Sequence, residues 1–398
     1  MSLLPQAPDR DHRLLSRALE LARSAVGLAS PNPTVGCVLA SGDQVLGEGA
    51  HHYEARDHAE IVALNQAAAL GHNVHGTTAY VTLEPCAHHG RTGPCADALI
   101  AARISRCVVA TVDPNPLVRG QGLAKLHAAG VEVDLADPAS ALAMESRRLN
   151  DAFASSMQHG RPFVTLKAAL SVDGKLAPPH SVRKALAGAK PAPHWITGEA
   201  ARADAQQLRH ASDAILTGIG TVLADNPSLT DRTGLPRRRP LLRVVLDSEL
   251  RTPLDSTLVT TAVGDLLIVG SSAAPAASET ALLARGAEVL RVPSRDIHLD
   301  LAAVFTALAE RRLLSVLVEA GSTLNGSLLR AGLADKLVLY YAERELGLDA
   351  LPFAVGFDSP YAVQQSLTST SRATFPNHAA EDVRISGYLH DPWLDIRS

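Results

Sequence analysis

Two α/β domains, each a layered alternation of strands and helices, are what this sequence predicts. Three observations carry the prediction. Helical and strand-like apolar patterns alternate along nearly the whole chain. At 398 residues, the chain is longer than one compact domain usually is. The alternation is interrupted near 146–160 and closes with Gln158-His159-Gly160-Arg161-Pro162, which is loop chemistry. The expected domains are 1–150 and 151–398. With 46% hydrophobic and 20% charged residues there is material for two cores.

In the first domain, residues 11–27 place Leu14, Leu15, Ala18, Leu19, Leu21, Ala22 and Val26 at helical spacing, with Gly27 as the stop. Ser30-Pro31-Asn32-Pro33-Thr34 cannot continue that helix, because two prolines remove donors and fix φ. Residues 35–39 and 44–47 read as a hairpin around Ser41-Gly42-Asp43. A helix then starts near His58 and runs to Gly71. It is followed by a strand at 78–83, a helix at 95–102, a strand at 107–112, a helix at 123–129 and a strand at 131–133. In the second domain, apolar runs at 163–169, 214–216, 242–246, 266–269, 288–292, 314–318 and 336–341 read as buried strands. Helical stretches such as 199–210, 300–311 and 323–331 lie between them, which predicts a mostly parallel sheet covered on both faces.

Composition excludes several classes. Lys+Arg 37 against Asp+Glu 41 leaves a net charge of −4, so neither a nucleic acid nor a membrane surface is an expected partner. Arg237-Arg238-Arg239, set between two prolines, reads as a solvated loop. Four cysteines in so long a chain are not a disulfide framework and suit a reducing compartment. Residues 1–23 carry charges throughout and no apolar signal core, and no run approaches the ~20 apolar residues of a membrane span. A cytoplasmic protein is expected. Its apolar strands and C-terminal run suit self-association as a homo-oligomer, a dimer or a tetramer.

The chemistry concentrates between His58 and Cys95. One imidazole and two thiols, His58, Cys86 and Cys95, are the ligand set of a tetrahedral zinc with an open fourth position. Glu60, two residues after the histidine, is placed to carry protons for a zinc-activated water. His-x-Glu followed by Pro-Cys and a second cysteine is the pattern of zinc nucleobase deaminases, which exchange an exocyclic amine for a carbonyl. In that pattern the cysteines are two residues apart; here eight intervene. A closed structural zinc module is disfavoured, because it needs neither an open position nor Glu60. Cys37 and Cys107 lie in apolar strands as inert core residues. His88 and His89 read as loop residues, the metal site being already filled.

Asn32-Pro33-Thr34-Val35-Gly36, His58-Ala59-Glu60, the run from Glu84-Pro85-Cys86 through Gly90-Arg91-Thr92-Gly93-Pro94-Cys95, and Asp113-Pro114-Asn115-Pro116 before Gly120-Gln121-Gly122 resemble the deaminase half of the bifunctional riboflavin-biosynthesis deaminase/reductase family. The resemblance implies a cytidine-deaminase-like three-layer domain acting on a phosphorylated aminopyrimidine. It implies that Arg91 binds phosphate and that Asn32, His51, Asp113 and Asn115 line the pyrimidine and ribose. For Asn32 and Asn115, plain turn chemistry beside proline is an equal reading.

The second half lacks a G-x-G-x-x-G after its first strand. Val316 to Gly326 reads strand, glycine turn, helix start, which fits an anion site or an ordinary tight turn. Together with Leu166-Lys167, Asp173-Gly174, Trp195-Ile196-Thr197, Gly220 to Thr230 and Val245-Leu246-Asp247-Ser248, it resembles the reductase half of the same family, a dihydrofolate-reductase-like domain. That implies NADPH-dependent reduction of a ribosyl group to ribityl. Ala169, Trp195, Thr221, Asp225, Ser248 and Gly321-Ser322-Thr323-Leu324-Asn325-Gly326-Ser327 would touch the cofactor; Arg209, Leu229, Arg232 and Glu319 would touch substrate. The segment from Lys175 to His194 is longer than the family's, and Pro193 stands where the family has a substrate-binding serine. Ser181 or His194 would then make that contact. The alternative to two activities is a deaminase with a non-catalytic or regulatory C-terminal domain.

Overall fold

The computed structural model describes residues 7–90, 92–179, 195–295, 298–377 and 380–393. Arg91, Ser181, Pro193 and His194 lie outside the described residues. The chain forms two compact units. The first comprises Met1–Gly160 with Pro236–Arg239 and Pro392–Ser398; the second comprises Arg161–Leu235 and Pro240–Asp391.

In the first unit α1 (Ala7–Ser24), β1 (Gly36–Ser41), β2 (Gln44–Ala50), α2 (Ala59–Ala69), β3 (Thr78–Val81), α3 (Cys95–Ala101), β4 (Arg106–Val109), α4 (Gln121–Ala128), β5 (Glu132–Leu135), α5 (Ala141–Arg148) and α6 (Asp151–His159) follow in order. The sheet order is β2-β1-β3-β4-β5. β1 runs antiparallel to β2 and β3, whereas β3, β4 and β5 are parallel. Alternate strand residues face opposite sides. Cys37, Leu39, Ala79, Val81, Cys107 and Val109 pack on Ala63 and Ala67 of α2, Leu99 of α3 and Leu126 of α4. Val38, Ala40, Tyr80 and Val108 pack on Leu14, Leu15 and Ala18 of α1. The result is the expected three-layer arrangement. Burial pushes the Cys37 and Cys107 thiols up, as suits core residues.

Two contacts seat the segments that carry chemistry. A Cβ at Gly49 would lie 2.7 Å from the Ala59 carbonyl, so the start of α2 rests directly on β2. Asn150, buried between α5 and α6, accepts the Thr34 N–H at 2.7 Å and donates to the Thr34 carbonyl at 3.1 Å. The Asn32-Pro33-Thr34 turn is thus held as a strand neighbour would hold it. The expected solvated arginine loop is different: within the first unit, Arg238 stacks 4.4 Å over the Tyr53 ring and pairs with Glu54 at 3.0 Å. A planar guanidinium stacks on an aromatic face where an ammonium would remain hydrated.

The second unit contains β6 (Phe163–Ser171), α7 (Glu199–His210), β7 (Ala214–Gly218), α8 (Ile219–Asp225), β8 (Leu242–Leu246), β9 (Leu266–Ser271), α9 (Ala276–Leu283), β10 (Glu288–Val292), α10 (Leu301–Glu310), β11 (Ser315–Val318), α11 (Ser322–Arg330), β12 (Lys336–Ala342), β13 (Thr368–Asn377) and β14 (Ala380–Tyr388). Its nine-stranded sheet has the order β10-β9-β8-β7-β11-β6-β12-β14-β13. Every pair from β10 to β12 is parallel. β14 and β13 are antiparallel additions at one edge. Val222 of α8 and Leu282 of α9 cover one face, and Val304, Phe305 and Leu308 of α10 and Leu328 of α11 cover the other. The mostly parallel sheet follows the sequence expectation. The β13–β14 hairpin does not, because β13 reads Thr-Ser-Thr-Ser-Arg-Ala-Thr-Phe-Pro-Asn and lacks a buried apolar face. An edge strand tolerates that composition, and its proline.

Candidate active sites

In the first unit three side chains converge. His58 Nδ1 lies 3.3 Å from Cys95 Sγ and 3.6 Å from Cys86 Sγ, and the three ligand atoms lie within 4.8 Å of one another. Ligands about 2.0–2.3 Å from a tetrahedral zinc stand roughly 3.5 Å apart, so this set fits zinc and leaves a fourth position open. Among the described residues it is the one cluster of this kind.

Helix starts build the cluster. His58 is the extended N-cap of α2, and Pro94 is the extended N-cap of α3, so Cys95 is the first helical residue. The Cys95 N–H donates to Cys86 Sγ at 3.3 Å, and the Ala96 N–H donates to the Cys86 carbonyl at 3.1 Å. Hydrogen bonding from Cys95, together with His58, holds the Cys86 thiol well below its ordinary range, while the Cys95 thiol is pushed up. A metal dication held there would keep both thiols as thiolates. Glu60 lies in the first turn of α2, 3% exposed. Burial, reinforced by the Cys86 charge, pushes its carboxyl up to about 7. A bound dication would oppose that rise.

Around the cluster, Asn32 Nδ2 meets His51 Nε2 at 3.0 Å, and His51 Nδ1 meets the Asp57 carbonyl at 2.8 Å. A carbonyl only accepts, so His51 carries its proton on Nδ1 and Asn32 donates to Nε2. The His51 and His58 rings meet edge-on at 5.2 Å. Asp113 is buried, and burial pushes it up to about 6. Its Oδ1 accepts the Asn115 N–H at 2.8 Å, and Asn115 Oδ1 accepts the Leu117 N–H at 3.1 Å, which is turn chemistry. His88 and His89 are exposed and outside the cluster.

In the second unit a cleft of about 500 Å³ opens beyond the carboxyl ends of β6, β7 and β11. Ala169, Trp195, Thr221, Asp225, Glu319, Gly321, Ser322, Thr323 and Leu324 line it. This is the crevice where open parallel sheets bind nucleotides. α11 starts at the cleft, its N-cap Gly321 brings no side chain, and the buried Ser322 Oγ has no hydrogen-bond partner among the described residues. Unspent donors at a helix N-terminus fit the phosphates of NADPH. The rest of that motif is packing: Asn325 is fully buried and donates to the Phe353 carbonyl at 2.9 Å, a Cβ on Gly326 would lie 2.2 Å from the Val355 carbonyl, and Ser327 donates to Thr323 O at 3.0 Å. Ser248 lies outside the lining, its carbonyl accepting the Ser271 N–H at 3.0 Å.

Arg209 grips Glu319 with two bonds of 2.9 Å and also donates to the Thr230 carbonyl at 2.9 Å. Leu229 is buried at φ 52, and the Arg232 N–H donates to Gln206 Oε1 at 3.0 Å while its side chain is exposed. Burial alone raises Glu319, but Lys167 and Arg209 outweigh it and hold the carboxyl at about 2. Lys167 lines the cleft 3.8 Å from Glu319 and had no assigned site role from sequence. Its signal was a lone cation inside the apolar run 163–169.

Two family models match the chain, one in each half. Residues 8–111 match the cytidine and deoxycytidylate deaminase zinc-binding region, and residues 162–371 match the RibD C-terminal domain. The riboflavin biosynthesis protein RibD of Bacillus amyloliquefaciens is 39% identical over 348 residues, covering 87% of this chain and 88% of that one. The chain belongs to the RibD family of riboflavin biosynthesis proteins. RibD of Escherichia coli K12 is likewise 39% identical, covering 86% of this chain and 90% of its own. The solved structure of Acinetobacter baumannii RibD aligns with a TM-score of 0.76 at 34% identity, over 96% of this chain and 99% of that one. A Thermotoga maritima diaminohydroxyphosphoribosylaminopyrimidine deaminase/5-amino-6-(5-phosphoribosylamino)uracil reductase aligns with a TM-score of 0.76 at 29% identity, over 96% of this chain and all of that one. As a RibD-family member the chain is a bifunctional enzyme of riboflavin biosynthesis, a zinc-dependent deaminase and an NADPH-dependent reductase acting on a small molecule. Among the described residues no helix is long and apolar enough to cross a membrane.

Proposed function

We propose that the two reactions divide along the chain, with residues 1–150 deaminating a phosphoribosylamino-pyrimidine and residues 151–398 reducing the ribosyl group of the product to ribityl. The observation that carries this is a buried Glu60 beside an open His-Cys-Cys ligand set. His58, Cys86 and Cys95 would hold zinc, which would supply an acidified water at neutral pH. Glu60 would carry one proton from that water to the ring nitrogen as the hydroxyl adds to carbon, and then the hydroxyl's remaining proton to the amine, which leaves as ammonia as the carbonyl forms. Asn32, His51, Asp113 and Asn115 orient the pyrimidine and ribose, and Arg91 holds the phosphate.

In the second domain, the backbone and hydroxyl at Gly321 and Ser322 receive cofactor phosphates, while Ala169, Trp195, Thr221 and Asp225 flank the remainder. Hydride chemistry belongs to the nicotinamide, so the protein's task is orientation. Arg209, Leu229, Arg232 and Glu319 shape the substrate side. The enzyme works in the cytoplasm as a homo-oligomer. The test is a coupled assay with the diaminopyrimidine phosphate, following ammonia release and NADPH consumption in one cuvette. Both are expected, with NADPH loss lagging ammonia. Ammonia without NADPH loss would leave a deaminase with a non-catalytic partner domain.

A further inference from the structure

We propose that Glu84 is the positioning residue of the deamination site, setting how tightly substrate is held; this rests on the deaminase reading above. Glu84 directly precedes Pro85 and Cys86, and it is buried at 4% exposure. Four backbone N–H groups converge on its carboxylate. Oε2 accepts from Asp113 at 3.1 Å and from Gly120 at 3.0 Å; Oε1 accepts from Gly122 at 2.9 Å and from Leu123 at 3.4 Å. A single side chain therefore ties both ends of the 113–123 segment to a position two residues before a metal ligand.

The arrangement is costly unless it is complete. A buried carboxylate must have its oxygens satisfied, and charge-assisted bonds to N–H groups are what satisfy it. Three of the four donors, Gly120, Gly122 and Leu123, lie at the start of α4, whose N-cap Gly120 brings no side chain of its own. An anion at that helix end is favoured by the exposed N–H groups and the dipole. A second feature locks the same seat. A Cβ on Gly122 would lie 1.9 Å from the Pro85 carbonyl, so the loop closes on the Glu84-Pro85 backbone at a distance only glycine allows. Between those anchors the loop carries Asp113 and Asn115, with Asp113 bonded to the Asn115 N–H. The anchors therefore fix where Asp113 and Asn115 stand relative to Cys86.

Glu84 has no role in proton transfer, so neutralising it should move affinity more than turnover. Glu84→Gln keeps the shape but turns an NH2 toward one pair of donors. Expected is a rise of about tenfold or more in KM for deamination, with zinc per chain unchanged and kcat little changed. NADPH-dependent reduction of the deaminated intermediate should be unaffected, which serves as the folding control. Glu84→Asp keeps the charge and should recover part of the loss. If the Gln variant is insoluble, the Asp variant is read by the same KM criterion. Unchanged KM in a soluble, zinc-loaded variant, or zinc lost in step with activity, overturns the proposal. Absence of ammonia release by the unsubstituted chain overturns the deaminase reading itself and needs no variant to see.

Discussion

Neutralising Glu319 tests the electrostatics of the second site most directly. Its carboxylate is gripped by Arg209 through two 2.9 Å bonds, with Lys167 at 3.8 Å, and its side chain is only 15% exposed. Burial pushes the carboxyl up, yet the two cations hold it at about 2, against an ordinary 4.5. At ~1.4 kcal/mol per pH unit, that gap is worth about 3 kcal/mol of folding stability. The folded value is the depressed one. The contribution is therefore complete above the unfolded value near 4.5 and is lost as pH falls through about 2. Glu319→Gln mimics the protonated state at every pH. It should cost about 3 kcal/mol at pH 7, since Arg209 and Lys167 then face a neutral group. The difference from the parent should shrink below pH 4.5 and approach zero near pH 2. Urea unfolding followed by Trp195 fluorescence, in a Trp393→Phe background, reads the second unit. A difference that is independent of pH, or below about 1 kcal/mol at pH 7, would refute the reasoning.

Two further outcomes concern the first site. Glu60→Gln should retain zinc and lose deamination by a factor of about 10² to 10⁴, because a carboxamide cannot cycle a proton; ammonia release and metal content check it together. Full activity in that variant would remove Glu60 from the mechanism. Chelating the zinc should abolish ammonia release yet leave NADPH oxidation with the deaminated intermediate intact, since His58, Cys86 and Cys95 all belong to the first unit. Loss of both activities would contradict a division of labour between units.

Much of the site was legible because its signals are local. His58 and Glu60 share one helix start, and Pro94 with Cys95 announces another, so residue type and spacing single out the ligand set and the proposed proton carrier. Asn150 and Glu84 carried no such signal. An asparagine between two helices and a glutamate at a strand end are commonplace. Only packing reveals that one holds Thr34 and the other holds Asp113 and Gly122. The run Gly321 to Ser327 shows the same limit. As sequence it is one motif; in space helical rotation turns Ser322 to the cleft and buries Asn325 and Gly326 against 353–355.

By itself the sequence determined the alternation of elements and brought His58, Cys86 and Cys95 forward as a metal ligand set. Those are written in periodicity and residue type, which depend on near neighbours along the chain. Tertiary structure alone decided the strand order of both sheets, the polar edge hairpin of β13 and β14, and which predicted contacts share a cleft. It also decided that Lys167 and Arg209 spend their charge on Glu319. The physical reason is that pairing, burial and charge compensation are set between residues that are distant in sequence, as the Glu84 carboxylate is from the Gly122 N–H.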